Sequence, residues 1–120
     1  ISLASATHVA ELKNGEINEW MNQPEDVDIE SQTLVGLTID SPAESLALIK
    51  NALGKKKSDI GDKAANMIAL NAGAGIYVSG LTSTYKQGVA LAHDIIYGGQ
   101  ALEKMDVLSE FTKTLKQYEA

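Results

Sequence analysis

The chain has 120 residues, with 10 Lys+Arg against 16 Asp+Glu, a formal net charge of -6 and no Cys. Without cysteine there is no disulfide framework, no thiolate nucleophile and no Cys-ligated zinc or iron–sulfur site. Net acidity argues against a nucleic-acid partner, because grip on a phosphate backbone rests on clustered Lys and Arg.

No apolar run approaches the ~18 residues of a membrane-spanning helix. No basic n-region with an apolar h-region opens the chain. The expectation is a cytoplasmic protein with no membrane partner. An apolar fraction of 44% is that of a globular chain. One domain is the prior at this length, and a real core is possible. The chain opens on Ile1-Ser2-Leu3-Ala4 rather than Met, which reads as a fragment of something longer.

Residues 1–21 are β-like. Thr7-His8-Val9-Ala10-Glu11-Leu12 and Glu16-Ile17-Asn18-Glu19-Trp20-Met21 flank Asn14-Gly15. Asn-Gly between two such runs predicts a hairpin, since both residues tolerate the positive φ of a type I′ turn. A lone hairpin is marginal in water, so it should pack on other elements. Residues 22–41 read as an acidic, turn-rich loop with room for one short strand in the apolar run from Leu34 to Ile39.

Ser41-Pro42-Ala43-Glu44 predicts a helix start, with Ser41 as cap, Pro42 at the first helical position and Glu44 reaching back. Leu46, Ile49, Ala52 and Leu53 form a stripe at helical period. Gly54 is placed just past the end of this helix, over 41–54. A second helix is predicted over 62–79, apolar nearly all round and therefore buried. Its Gly73 and Gly75 suggest close approach by a neighbouring backbone, and Gly80 ends it. A third helix is predicted over 83–97, capped by Thr82 or Ser83. Tyr85, Val89, Ala92 and Ile96 line one of its faces, and Lys86, Gln87, His93 and Asp94 another. Gly98-Gly99 stops it. A fourth follows over 101–118, striped by Leu102, Met105, Leu108, Phe111, Leu115 and Tyr118. So short a connection implies antiparallel neighbours. The fold class is α/β: strands and loop over 1–40, helices over 41–120.

Four features invite a chemical reading, and each has a plainer one. Gly73-Ala74-Gly75 with Gly80 lacks the strand before it that a phosphate loop needs, so helix packing is the expectation. Glu25, Asp26, Asp28 and Glu30 lack the EF-hand spacing and read as a solvated acidic loop. His8 and His93 have no nucleophile and orienting group at hand. Lys55-Lys56-Lys57 follows a helix C-terminus, where the dipole favours cations. No catalytic, cofactor-binding or metal-ligating residue is assigned in this chain.

The order of the elements nevertheless resembles a family. Thr7-His8-Val9-Ala10-Glu11-Leu12, Asn14-Gly15-Glu16-Ile17 and Pro24-Glu25-Asp26 resemble one stretch of the anthranilate phosphoribosyltransferases. Asn71-Ala72-Gly73-Ala74-Gly75-Ile76-Tyr77-Val78-Ser79-Gly80 looks like that family's small-residue helix. Gly88-Val89-Ala90-Leu91-Ala92 and Gly98-Gly99-Gln100-Ala101-Leu102-Glu103-Lys104 resemble the two segments that close it. The sequence departs at Val27-Asp28, where the family has Phe-Gly, and at Gly73 and Gly75, where it often has Ala.

The resemblance implies the C-terminal segment of the larger α/β domain, of the nucleoside phosphorylase/phosphoribosyltransferase type. It implies a parent that joins anthranilate to phosphoribosyl pyrophosphate in tryptophan biosynthesis, a homodimer using Mg²⁺. The glycine-rich phosphate loop and the metal-binding Asp-Glu pair would lie before Ile1, leaving this piece inactive alone. Two other readings stand beside it: a piece of a pyrimidine nucleoside phosphorylase-like enzyme, and a small non-enzymatic helical interaction module.

Overall fold

A computed structural model describes residues 1–119. Strands β1 (Thr7–Lys13) and β2 (Glu16–Asn22) are followed by a short 3-10 turn (Pro24–Val27). Four helices then follow: α1 (Pro42–Leu53), α2 (Asp59–Val78), α3 (Tyr85–Tyr97) and α4 (Gln100–Tyr118).

The two strands pair antiparallel, from Thr7 opposite Asn22 to Lys13 opposite Glu16. Asn14 and Gly15 both take positive φ, 54° and 78°, so the expected type I′ turn forms. One face, carrying Val9 and Glu11, lies toward α2. There the Tyr77 hydroxyl donates to Glu11 Oε1 at 2.9 Å, and Lys13 Nζ stands 5.6 Å from the Tyr77 ring centroid. The opposite face holds the Leu12–Ile17 pair, 73% and 69% exposed. The hairpin therefore packs on one side only.

Residues 23–28 form the 3-10 turn rather than an open loop. Pro24 pre-sets φ, and Asp26 Oδ2 accepts from the Gln23 N–H at 2.8 Å. Asp28 closes the turn at φ 62°. The short strand allowed for between Leu34 and Ile39 does not form. The Leu37 N–H donates to the Leu34 carbonyl at 3.0 Å, and Gly36 sits at φ 87°. That tight turn breaks the extended run.

Helix α1 begins as expected, with Ser41 Oγ accepting from the Glu44 N–H at 3.1 Å. Glu44 reaches back one residue further than predicted, to the Asp40 N–H at 2.8 Å. Its stripe is buried only at Ala52 and Leu53; Leu46 and Ile49 remain exposed. Gly54 is extended at φ -72°, not left-handed. The helix end is met instead by Lys57, whose Nζ donates to the Gly54 carbonyl.

Helix α2 starts before the predicted position 62. Ser58 is its cap, accepting from the Gly61 N–H at 3.1 Å. The helix is not buried all round. Its buried residues include Gly61, Ala65, Leu70 and Gly73, while Val78 is 86% exposed. Alanine is apolar and small, so an Ala-rich helix reads as buried by composition without having the bulk to fill a core on every side. Gly73 does meet a neighbouring backbone: a Cβ there would lie 2.5 Å from Val89 Cα. A Cβ on Gly88 would run into the Gly73 carbonyl in turn. Gly75 meets nothing within 4 Å, so the close approach expected there is absent.

Helix α3 is capped by Thr84, not Thr82 or Ser83; its Oγ1 accepts from the Gln87 N–H at 3.1 Å. Val89, Ala92 and Ile96 are buried as the stripe predicted. Tyr85 crosses to α2, donating to the Leu70 carbonyl at 2.9 Å. These residues join Leu3, Val27, Ile29 and the small residues of α2 in one core. Residue Ile1 is fastened to the same helix, its backbone nitrogen donating to Asn71 Oδ1 at 2.7 Å. Helix α4 buries no residue. Only its start, through Ala101, Leu102 and Met105, packs on the core. The antiparallel pairing expected along α3 is not made.

Candidate functional site

The polar face of α3 recurs at Lys86, Gln87, His93 and Asp94, and the end of the 3-10 turn delivers Asp28 and, just after it, Glu30 opposite. Together with Thr84 and Asn66 these groups line a groove of about 610 Å³. Asp28 Oδ2 lies 3.2 Å from Lys86 Nζ. Both are exposed, so the pair contributes about 0–1 kcal/mol. Nearby, the Ser31 hydroxyl and N–H hold the Glu25 carboxyl below the ordinary carboxylate range. The acidic loop is thus internally hydrogen-bonded rather than merely solvated.

His93 stacks on Tyr97, with ring centroids 4.3 Å apart and planes 23° apart. Tyr97 donates to Asp62 Oδ1 at 2.7 Å. Burial, and then that carboxylate, push the Tyr97 phenol up to about 12. Lys57 Nζ lies 4.2 Å from the same ring's centroid. Burial lowers the Lys57 ammonium, and Asp62 opposes the shift. One of the three lysines after α1 is therefore a clasp: it closes the α1 end and lies over an α3 ring. Tyr97 lies 35 residues from Asp62, too far for spacing to reveal this.

His93 has an aromatic ring for a neighbour, not a carboxylate and a nucleophile. His8 lies on the hairpin's outer face, 3.7 Å from Glu19 and far from any relay. Among the described residues no three His, Asp or Glu side chains gather as metal ligands. The groove offers charge and hydrogen bonds but no aligned donor and acceptor for proton transfer.

Two further depressions are mainly apolar. One, of about 220 Å³, lies between the hairpin and α2 and includes Val9, Trp20, Ala74 and Tyr77. The other, of about 350 Å³, lies between residues 34–38, α1 and α2. Asn22, at the end of β2, is buried, and its Nδ2 has no hydrogen-bond partner. It lies near the Tyr85 hydroxyl without bonding to it in good geometry. Burial pushes the Tyr85 phenol up to about 12, and Asn22 counters part of that shift. No signal in the sequence marked Asn22.

No helix among the described residues is long and apolar enough to cross a membrane. Comparison with known proteins is more specific than the geometry. The chain is 75% identical over 118 residues to an anthranilate phosphoribosyltransferase of Acinetobacter baylyi, covering 98% of this chain and 34% of that protein. It is 72% identical over 120 residues to the enzyme of that name from Acinetobacter baumannii, again covering 34% of the relative. Among solved structures it resembles anthranilate phosphoribosyltransferase from Thermus thermophilus, at a TM-score of 0.80 and 29% identity. That match covers 94% of this chain and 32% of the other. The chain thus spans about a third of the length of the relatives it matches. Residues 1–102 match the glycosyl transferase family, a/b domain, and the chain belongs to that family.

Proposed function

We propose that this chain is the C-terminal structural part of an enzyme that transfers the phosphoribosyl group of phosphoribosyl pyrophosphate to anthranilate, in tryptophan biosynthesis. The observation that carries the reading is the 75% identity to the Acinetobacter baylyi transferase across nearly the whole chain. That similarity favours the transferase over a phosphorylase-like parent and over a free-standing interaction module.

The chain's own part in the reaction is support. The hairpin completes a sheet edge, and α2, α3 and α4 cover a face, holding reactive groups that lie elsewhere in the parent. Oriented scaffolding of this kind matters because displacements of about 1 Å at a reacting centre cost about a hundredfold in rate. The described residues do not gather a ligand set for Mg²⁺. The Mg²⁺ of the parent enzyme is read as held by residues beyond this chain. The parent is read as a cytoplasmic homodimer.

A chimera tests the proposal. The 118 matching residues of the Acinetobacter baylyi enzyme are replaced by those of this chain. The expected result is turnover within about tenfold of the unmodified enzyme, a barrier change under about 1.4 kcal/mol. The 120 residues alone should show no turnover. A folded chimera without activity, or robust turnover by the isolated chain, would overturn the reading.

A further inference from the structure

Asn71, on α2, spends its side chain on a residue 70 positions away. Its Oδ1 accepts from the Ile1 backbone nitrogen at 2.7 Å. Its Nδ2 donates to the Ile1 carbonyl at 2.9 Å, and to the Met67 carbonyl, one turn back on α2, at 3.0 Å. The bond to Met67 fixes the plane of the amide. The other two hold both polar groups of a single backbone residue. A neighbouring strand holds a residue in a ladder in the same way. The N–H and C=O of one residue point to the same side when the backbone is extended. The grip therefore sets the course of the chain at Ile1 as well as its place.

The residues that follow are held too, although they belong to no helix or strand. The Ser2 N–H donates to Thr7 Oγ1 at 3.1 Å. Leu3 is fully buried, and its carbonyl accepts from the Gln32 N–H at 3.1 Å.

We propose that Asn71 is a positioning residue: it aims the chain at Ile1, and through it the reacting groups that the rest of the parent enzyme joins there. The inference rests on the reading above, in which this chain is the C-terminal part of a longer transferase and Ile1 is its junction with the rest. Asn71 is exposed, and hydrogen bonds open to water contribute little to stability. A two-point grip contributes direction instead. A displacement of about 1 Å at a reacting centre costs about a hundredfold in rate. A misaimed group lowers kcat while the substrate contacts, and so KM, stay in place.

The test uses the chimera. Asn71→Leu keeps the volume and removes both bonds to Ile1. Asn71→Gln keeps both groups on a longer arm. Ile96→Val loosens the buried core without touching Ile1. In Asn71→Leu, kcat should fall at least about tenfold, with KM unchanged within about twofold. Its melting temperature should drop no more than that of Ile96→Val. Asn71→Gln should recover part of the lost kcat. Amide hydrogen exchange over residues 1–3 should quicken more in Asn71→Leu than in Ile96→Val. An unchanged kcat in Asn71→Leu would overturn the proposal and leave the functional reading standing. An equal fall in Ile96→Val would overturn it too, by making the effect one of stability. Should the unsubstituted chimera be inactive, the functional reading falls and hydrogen exchange decides the grip. Quickened exchange in Asn71→Leu then upholds it, and unchanged exchange overturns it.

Discussion

Helices α3 and α4 carry equally clear apolar stripes, yet one is buried and the other is bare. On α3, Val89, Ala92 and Ile96 sit in the core against α2. On α4, the residues from Leu108 to Tyr118 meet solvent. The difference lies in the facing surface. Gly73 and Gly88 let α2 and α3 approach backbone to backbone, so short side chains suffice to exclude water between them. Helix α4 has bulkier residues and nothing opposite them. An amphipathic period reports that a face needs cover, and is silent about where the cover comes from.

The contrast should break most visibly at Leu70. It is fully buried, and Leu70→Ala should cost about 2–5 kcal/mol in denaturant unfolding. Leu115→Ala in the same chain should cost no more than about 0.5 kcal/mol, as exposed positions do. Equal losses would erase the distinction between the two helices.

Gly73→Ala sharpens it further. The new Cβ would press on the Val89 backbone, which cannot swing aside as a flexible side chain could. A loss of about 1–3 kcal/mol is expected. Gly75→Ala, two residues on and in open space, should instead gain up to about 1 kcal/mol from helix propensity. Opposite signs on one helix would locate the close approach at a single residue.

Thr84→Ala removes the hydroxyl that caps α3 and should cost about 1 kcal/mol, read by the same unfolding curves. An unchanged midpoint would mean that α3 starts elsewhere.

The smallest effect expected is a pH slope. The folded Tyr97 phenol ionises at about 12 against an ordinary 10.0, so the folded state keeps the proton longer. Its contribution is intact below about pH 10 and is lost as pH rises through about 12. Tyr97→Phe should flatten the fall in stability across that window. A slope unchanged by the substitution would remove the Asp62–Tyr97 contact from the account.

Local signals in the sequence carried the hairpin, its Asn14-Gly15 turn, the Ser41 cap and the four helices. These depend on neighbours within a few positions, where residue type dictates backbone geometry. The sequence does not single out Thr84 as the α3 cap, because Thr82, Ser83 and Thr84 are chemically alike and only tertiary position selects among them. Gly73 and Gly75 look alike in the sequence, which shows which residues are small and not what they face. The Lys57–Asp62–Tyr97 clasp and the buried Asn22 depend on tertiary contacts and left no local trace. The family resemblance was legible because it rests on the order of several segments.

We propose that these residues are one structural third of a transferase. A direct measurement expresses this chain and the remaining two thirds of the Acinetobacter baylyi enzyme as separate polypeptides and mixes them. Neither piece should turn over alone, and together they should form a stable one-to-one complex with phosphoribosyl transfer to anthranilate. Turnover by this chain alone, or no association between the two pieces when each is folded, would contradict it.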